Sequence, residues 1–528
     1  MLSGHFTICL LFLFLFCIGR AQALDPYYAP TPVICPSDDS LIRDTGTPRD
    51  RNQTLHKDEI AYVEARKRPV LEGLQDWLSN LPEQVYLGVV AEDIPSIALS
   101  LSGGNFRAAL FSAAALEAFD SRDNSSVKNG LGGLLQSSTY MSSLSGGSYV
   151  ATSLVFNDFA PGRDLVFGDN ATSNPGWQLD QALLTPGSQG QDTTAFIGDL
   201  MNDLGAKRLG ANFTVTFCDM WGRALAYHFL PGTPPGSFAS NATSGNHAAS
   251  VTFSSMTNLT VWKNHRVPFP LVVINVNSPN AHGTVFGGNG TLPLQSVNYE
   301  LNPFEFGSYE PQLASFVSLP YLGSTFSNGT PIHCVNDFDN TGLMIGTSSC
   351  DFNPLNVTNS SEWTSPDGLG GLVGLINETF GTLQPGAEYD ATLVPNPFVG
   401  MHHVDYQDTA EANLALMDGS LDDQNDPLFP LLVKARKVDM IVVLDSSGET
   451  SDFKPTGQSL LATREKVSVL PQGFMNFPTP FPQTQREFLD LKLNMRPVFF
   501  GCDGPNSTDA TFPCVSPPSP FAPNHALT

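Results

Sequence analysis

Ser138-Thr139-Tyr140-Met141-Ser142-Ser143-Leu144-Ser145-Gly146-Gly147-Ser148-Tyr149-Val150 reads as a strand that ends in a tight turn and continues as a helix. Small residues flank Ser145, as they must where a backbone passes close to itself. A serine on such a turn holds its hydroxyl in the open, which is the arrangement of a nucleophile elbow. The competing reading of the same letters is a Ser/Gly-rich loop.

A second strand-turn-helix unit lies upstream. Ser96-Ile97-Ala98-Leu99-Ser100-Leu101 is a short apolar strand, Ser102-Gly103-Gly104 a turn, and Asn105 to Phe119 a helix with Phe106, Leu110, Ala113 and Leu116 in step. Where the glycines open the helix, unpaired N–H groups and the positive end of its dipole face an anion, so the turn at Gly103 and Gly104 is a candidate oxyanion hole. Arg107 stands in the first helical turn, where a cation opposes the macrodipole by roughly 0.3 to 1 kcal/mol. It therefore needs another partner, either a structural carboxylate or a substrate phosphate, which a guanidinium grips bidentately.

Met417-Asp418-Gly419-Ser420 follows a short apolar strand and opens the acidic, turn-rich stretch Leu421 to Pro427. Asp-Gly is ordinarily a turn. A carboxylate at the end of a buried strand is also placed to accept a proton from a serine hydroxyl. A conventional α/β-hydrolase orders its triad Ser, Asp or Glu, His, and the histidine after Asp418 is His525, in a Pro-rich tail. His402 and His403 serve only if the acid comes earlier. A plan without histidine fits the chain better.

Residues 1–23 carry an apolar run from Thr7 to Ile18 and end in Ala21-Gln22-Ala23, the pattern of a cleaved secretory signal. The run is too short for a spanning helix, and the polar C-terminus shows no GPI-anchor pattern. Twelve Asn-X-Ser/Thr acceptors, at Asn52, Asn124, Asn170, Asn212, Asn241, Asn258, Asn289, Asn328, Asn356, Asn359, Asn377 and Asn506, agree with export. Beyond the signal remain Cys35, Cys218, Cys334, Cys350, Cys502 and Cys514, expected as disulfides whose pairing the spacing leaves open. The chain has 26 basic and 51 acidic residues, a formal charge of −25. That excludes a generic nucleic-acid binder, and any lipid contact should rest on apolar surface and local cations.

Residues 24–528 show no long linker or internal repeat, so one large domain is expected, with a core over about 35–514 and a Pro-rich tail after 514. Helical spacing from Thr54 to Asn80 puts Leu71, Leu74 and Leu78 on one stripe, with Pro69 breaking it into two pieces. Further strands are expected over Leu271 to Val276, Leu414 to Met417 and Val438 to Leu444, the last apolar enough for the middle of a sheet. Strands alternating with helices give a layered, α/β/α-like core on a mixed sheet. The Gly-, Pro- and Asn-rich stretch from Asp158 to Thr252 reads as insertions and loops.

With both glycine turns, Arg107 and the Asp-Gly turn in view, the chain resembles the fungal secreted lysophospholipases, or phospholipases B. Their catalytic domain is similar to that of cytosolic phospholipase A. The likeness runs from about Cys35 to Cys514 and includes Asn302 to Pro311, Tyr321-Leu322-Gly323, Gly346-Thr347-Ser348-Ser349 and Asn494 to Cys502. It implies a Ser-Asp dyad with Ser145 as nucleophile and Asp418 as base. Arg107 would hold the phosphate, and backbone N–H groups around Gly103, Gly104, Asn105 and Gly146 would receive the oxyanion. It implies no catalytic metal and no cofactor, with lysophospholipids and phospholipids, on a transient micelle or membrane surface, as partners. Three departures touch the site, since Asn105, Ser143 and Ser420 stand where the family usually has glycine.

The expected activity is hydrolysis of lysophospholipid and phospholipid acyl esters through an acyl-enzyme, with transacylation as a side path. An aspartate base should sit in a partly dry pocket and keep substantial activity near pH 5. A Ser-His-Asp esterase and a secreted glycoprotein with a disabled site are the rival readings.

Overall fold

A computed structural model describes residues 26–37, 41–46, 53–80, 94–186, 191–233, 238, 246–283, 285–287, 291–352, 369–381, 390–401 and 406–501. The signal segment, His402, His403, His525, Cys502, Cys514 and the acceptors Asn52, Asn241, Asn289, Asn356, Asn359 and Asn506 lie outside the described residues. The described acceptors Asn124, Asn170, Asn212, Asn258 and Asn328 are exposed, and Asn377 is half-buried.

The strands are β1 (Thr31–Val33), β2 (Ile42–Asp44), β3 (Ile97–Leu101), β4 (Ser138–Ser143), β5 (Phe269–Val276), β6 (Asn298–Leu301), β7 (Glu305–Ser308), β8 (Ser315–Ser318), β9 (Thr325–Ser327), β10 (Thr330–Asn336), β11 (Thr392–Pro395), β12 (Asn413–Asp418) and β13 (Met440–Leu444). Ten form one mixed sheet in the order β13-β3-β4-β5-β6-β7-β8-β2, with β12 also on β5 and β11 on β12. Pairing is parallel from β13 to β5 and antiparallel from β6 onward. β1, β9 and β10 make a small separate sheet, fastened by the Cys35–Cys334 disulfide.

The helices that matter to the site are α1 (Lys57–Ser79), α2 (Asn105–Ala118), α3 (Ser145–Phe156), α4 (Phe217–Phe229), α5 (Thr341–Thr347) and α6 (Gln458–Val469). The layered α/β core and both strand-turn-helix units match the sequence expectation. β3 and β4 are buried along their whole length because helices cover both faces of the parallel half, although β4 carries four serine and threonine residues among its six.

Three expectations are corrected. α1 runs unbroken through Pro69. An internal proline costs about 3 kcal/mol, but the face that α1 buries, Glu59, Tyr62, Arg66, Val70, Gly73 and Leu74, extends on both sides of it. Arg66, fully buried, donates to the Ser138 carbonyl (2.9 and 2.7 Å) and the His265 carbonyl (2.6 Å), fastening the helix to the sheet. β13 is an edge strand, not a central one. Its apolar run is explained by cover on both faces: Val442 packs with Val70 and Leu74, Ile441 and Val443 with Leu460 and Leu461. The stretch expected as loops contains α4, buried from end to end. A buried Asp219, Arg223 and His228 obscured its pattern, and Gly222 crosses α5 so closely that a Cβ would sit 2.5 Å from the Gly342 carbonyl.

Arg436 is buried between Glu59 of α1 and Glu300 of β6, with contacts from 2.6 to 3.2 Å. Removing one member of such a cluster leaves charge buried without a partner. Arg436→Ala is expected to lower unfolding free energy by about 3 to 5 kcal/mol, measured as a shift in the denaturant midpoint.

Candidate active site

Ser145 and Asp418 meet because two strands share one edge of β5. β4 pairs with β5 as far as Ser143 opposite Val272. β12 enters antiparallel from the other end and stops with Asp418 opposite Ile274. β6 occupies the opposite edge over Val272 to Asn275, so β4 and β12 lie end to end. The chain leaves β4 through Leu144 into Ser145, whose side chain comes close enough to the Asp418 carboxyl to help hold its pKa down.

The elbow is strained. Ser145 has φ of +46°, and the two residues after it must be glycine: a Cβ on Gly146 would lie 2.1 Å from the Asn105 carbonyl oxygen, and one on Gly147 2.3 Å from that of Leu101. These contacts bring the first turns of α2 and α3 together. The serine is only 6% exposed, more enclosed than an open elbow.

Ser348, at the C-cap of α5, joins the two turns. Its carbonyl accepts the N–H of Ser145 (3.1 Å) and that of Gly419 (3.3 Å). Its hydroxyl faces the Ser145 N–H (3.0 Å) and donates to the Val273 carbonyl (2.8 Å). Next to it, the Cys350 carbonyl takes the Asp418 N–H (3.4 Å), and Cys350 is tied to Cys218 of α4 by a disulfide. Asn275 holds the Gly419 carbonyl from below (3.0 Å). Ser348 had appeared in the sequence only as part of a family-like stretch. No local pattern marks a residue whose partners lie about 200 and 70 positions away in the chain.

Burial pushes the Asp418 carboxyl up to about 7, and the nearby Asp351 charge adds to the rise. Hydrogen bonds from Ser420, whose N–H donates to Oδ1 at 2.8 Å, and from Ser145 offset part of it.

At the other glycine turn, the Gly103 N–H donates to the Asn425 carbonyl (3.1 Å). Among the described residues, the N–H groups of Gly104, Asn105 and Gly146 have no acceptor. Asn105 occupies the left-handed region at φ +55°, a conformation asparagine tolerates. Ser143 donates to the Leu271 carbonyl (3.1 Å). Arg107 is exposed, and its guanidinium lies 5.2 Å from the centroid of the Phe453 ring, within the field of Asp445. Among the described residues it makes no salt bridge or hydrogen bond. Asp445 itself is pushed up to about 6 by burial, against hydrogen bonds from Ser447.

The arrangement supplies a hydroxyl, a carboxylate in hydrogen-bonding reach, two converging helix N-termini and a cation beside them, which suits acyl transfer from an anionic ester. Residues 97–523 match the family model for a lysophospholipase catalytic domain. A lysophospholipase of Torulaspora delbrueckii is 34% identical over 94% of this chain and 73% of its own length. Lysophospholipase 1 of Saccharomyces cerevisiae is 33% identical over 94% of this chain and 72% of its own. Human GIVD cytosolic phospholipase A2 has a similar fold, with a TM-score of 0.60 at 18% identity, over 86% of this chain and 56% of that one. The chain spans little more than half the length of that solved structure, while the curated match covers most of both sequences. This chain belongs to the lysophospholipase catalytic-domain family.

Proposed function

We propose that the protein hydrolyses the acyl esters of lysophospholipids and phospholipids through a Ser145–Asp418 dyad. The observation that carries the reading is the end-to-end placement of β4 and β12 on β5, with both turns held by the Ser348 carbonyl. Ser145 Oγ attacks the ester carbonyl while Asp418 takes its proton. The N–H groups of Gly104, Asn105 and Gly146 receive the oxyanion. Asp418 returns the proton to the departing glycerol oxygen, and Arg107 steadies the phosphate. Water then attacks the acyl-enzyme and releases fatty acid; a second lysophospholipid taking the acyl group gives transacylation. Secretion belongs to the same reading, supported by two disulfides and by acceptor asparagines on the surface.

The raised Asp418 alters one expectation. A base must be ionised, so kcat/KM should fall about tenfold per unit below about pH 7 instead of staying high near pH 5. Asp351→Asn removes the neighbouring charge and should move that limb to lower pH. A histidine base would put a limb in nearly the same place, so substitutions decide between the plans. Fatty-acid release from lysophosphatidylcholine is expected to fall roughly ten-thousand-fold or more in Ser145→Ala and Asp418→Ala, and to persist in His402→Ala and His403→Ala.

Asp418 should also weaken the fold that holds it. Its pKa is higher folded than the roughly 3.9 of an unfolded aspartate, so the penalty is absent below about pH 4 and complete above about pH 7. Asp418→Asn is therefore expected to raise unfolding free energy by about 2 to 4 kcal/mol at pH 8, with the gain vanishing at pH 4.

A further inference from the structure

α2 is apolar on both sides. Its inner face is Ala108, Ala109, Ser112, Ala113 and Leu116. Its outer face carries Arg107, then Leu110, Phe111 and Ala114, all exposed. Leu110 was expected to share the inner face with Ala113 and Leu116, and is instead 42% exposed, with Phe111 at 46%. A solvent-facing helix in a chain with 51 carboxylates should be rich in charge. No acidic residue occurs in α2 before Glu117.

Phe453 extends this face. It is 65% exposed and holds φ of +59°, a conformation in which a bulky side chain is strained. The turn is held in that state by Thr450, whose carbonyl accepts the Phe453 N–H (2.9 Å) and whose hydroxyl accepts the Lys454 N–H (2.8 Å). The charges on either side, Asp452 and Lys454, pair with each other (2.7 Å). The Phe453 ring lies against Arg107. Leu110 and Phe111, three and four residues on from Arg107, share its helical face. They sit about 8 to 9 Å along the axis from Asn105, where the site begins.

We propose that Leu110, Phe111 and Phe453, grouped around Arg107, form the surface by which this protein seats on a zwitterionic phospholipid aggregate. Apolar rings and a leucine enter the acyl boundary, and the Arg107 guanidinium among them meets lipid phosphate. A chain of net charge −25 is repelled by an anionic bilayer, so the fitting surface carries phosphate without net charge. The location of the reacting centre in this proposal rests on the acyl-ester reading above, but the binding does not require turnover.

The test uses the full chain with Leu110→Gln, Phe111→Gln and Phe453→Asn combined. Glutamine favours helix and asparagine tolerates the left-handed turn, so the fold is preserved. In a Ser145→Ala background, partition onto phosphatidylcholine vesicles is expected to fall roughly tenfold or more, whereas Ile332→Gln, an exposed apolar residue of the small sheet, has no effect. With Ser145 intact, hydrolysis of a water-soluble short-chain ester should be unchanged, while hydrolysis of phosphatidylcholine vesicles drops with binding. Unchanged vesicle partition overturns the proposal. So does an equal loss on the soluble ester, which would place these residues in the chemistry, or a shift from dimer to monomer in sedimentation, which would make a second copy the occupant. Failure of the unsubstituted chain to hydrolyse any ester would sink the acyl-ester reading alone, because vesicle binding is read separately.

Discussion

One edge of β5 carries two strands in succession, and the rest of the site depends on that division. β4 fills the edge to Val272 and β12 fills it from Ile274, so a serine and an aspartate 273 positions apart in sequence finish at adjoining strand ends, the serine lowering the pKa of the acid. A slip of one residue in either strand would turn every side chain to the opposite face and separate the pair. The register is protected because the strands are buried on both faces and because Val273, between the two junctions, is held through its carbonyl by Ser348.

That geometry places a carboxylate where water is scarce, which is unfavourable for stability and useful for chemistry. A dry aspartate is a stronger base than a wet one. The structure tempers the effect with a donor from Ser420 and aggravates it with Asp351. The same compactness forces Gly146, Gly147 and Gly419 to lack side chains, since a Cβ at each would come within 2.6 Å of a backbone carbonyl oxygen. The two glycine turns are therefore parts of one packed unit in which the start of each helix abuts the other.

The local parts of this unit were legible in the sequence. Both strand-turn-helix units, the strand before Asp418 and the out-of-place cation at Arg107 follow from periodicity, small residues and the helix dipole. What stayed hidden depends on distant partners. Ser348 looks like any serine until α5 brings it under both turns, and Asn425 until its carbonyl takes the Gly103 N–H. Periodicity also failed where charge is buried, as in α4 and on the inner face of α1, and where an apolar residue faces outward, as Leu110 does. Proline, read as a break at Pro69, was outvoted by fastening on either side.

The two cross-links among the described residues span 299 and 132 residues. In the loop-closure model, a tie of that length removes enough freedom from the denatured ensemble to be worth about 5 kcal/mol taken alone. This contribution appears in no contact of the native chain, because it comes from conformations the unfolded polymer can no longer visit. A protein whose margin comes partly from a constrained coil can tolerate a left-handed serine and a dehydrated acid at its centre without a larger interior to offset them.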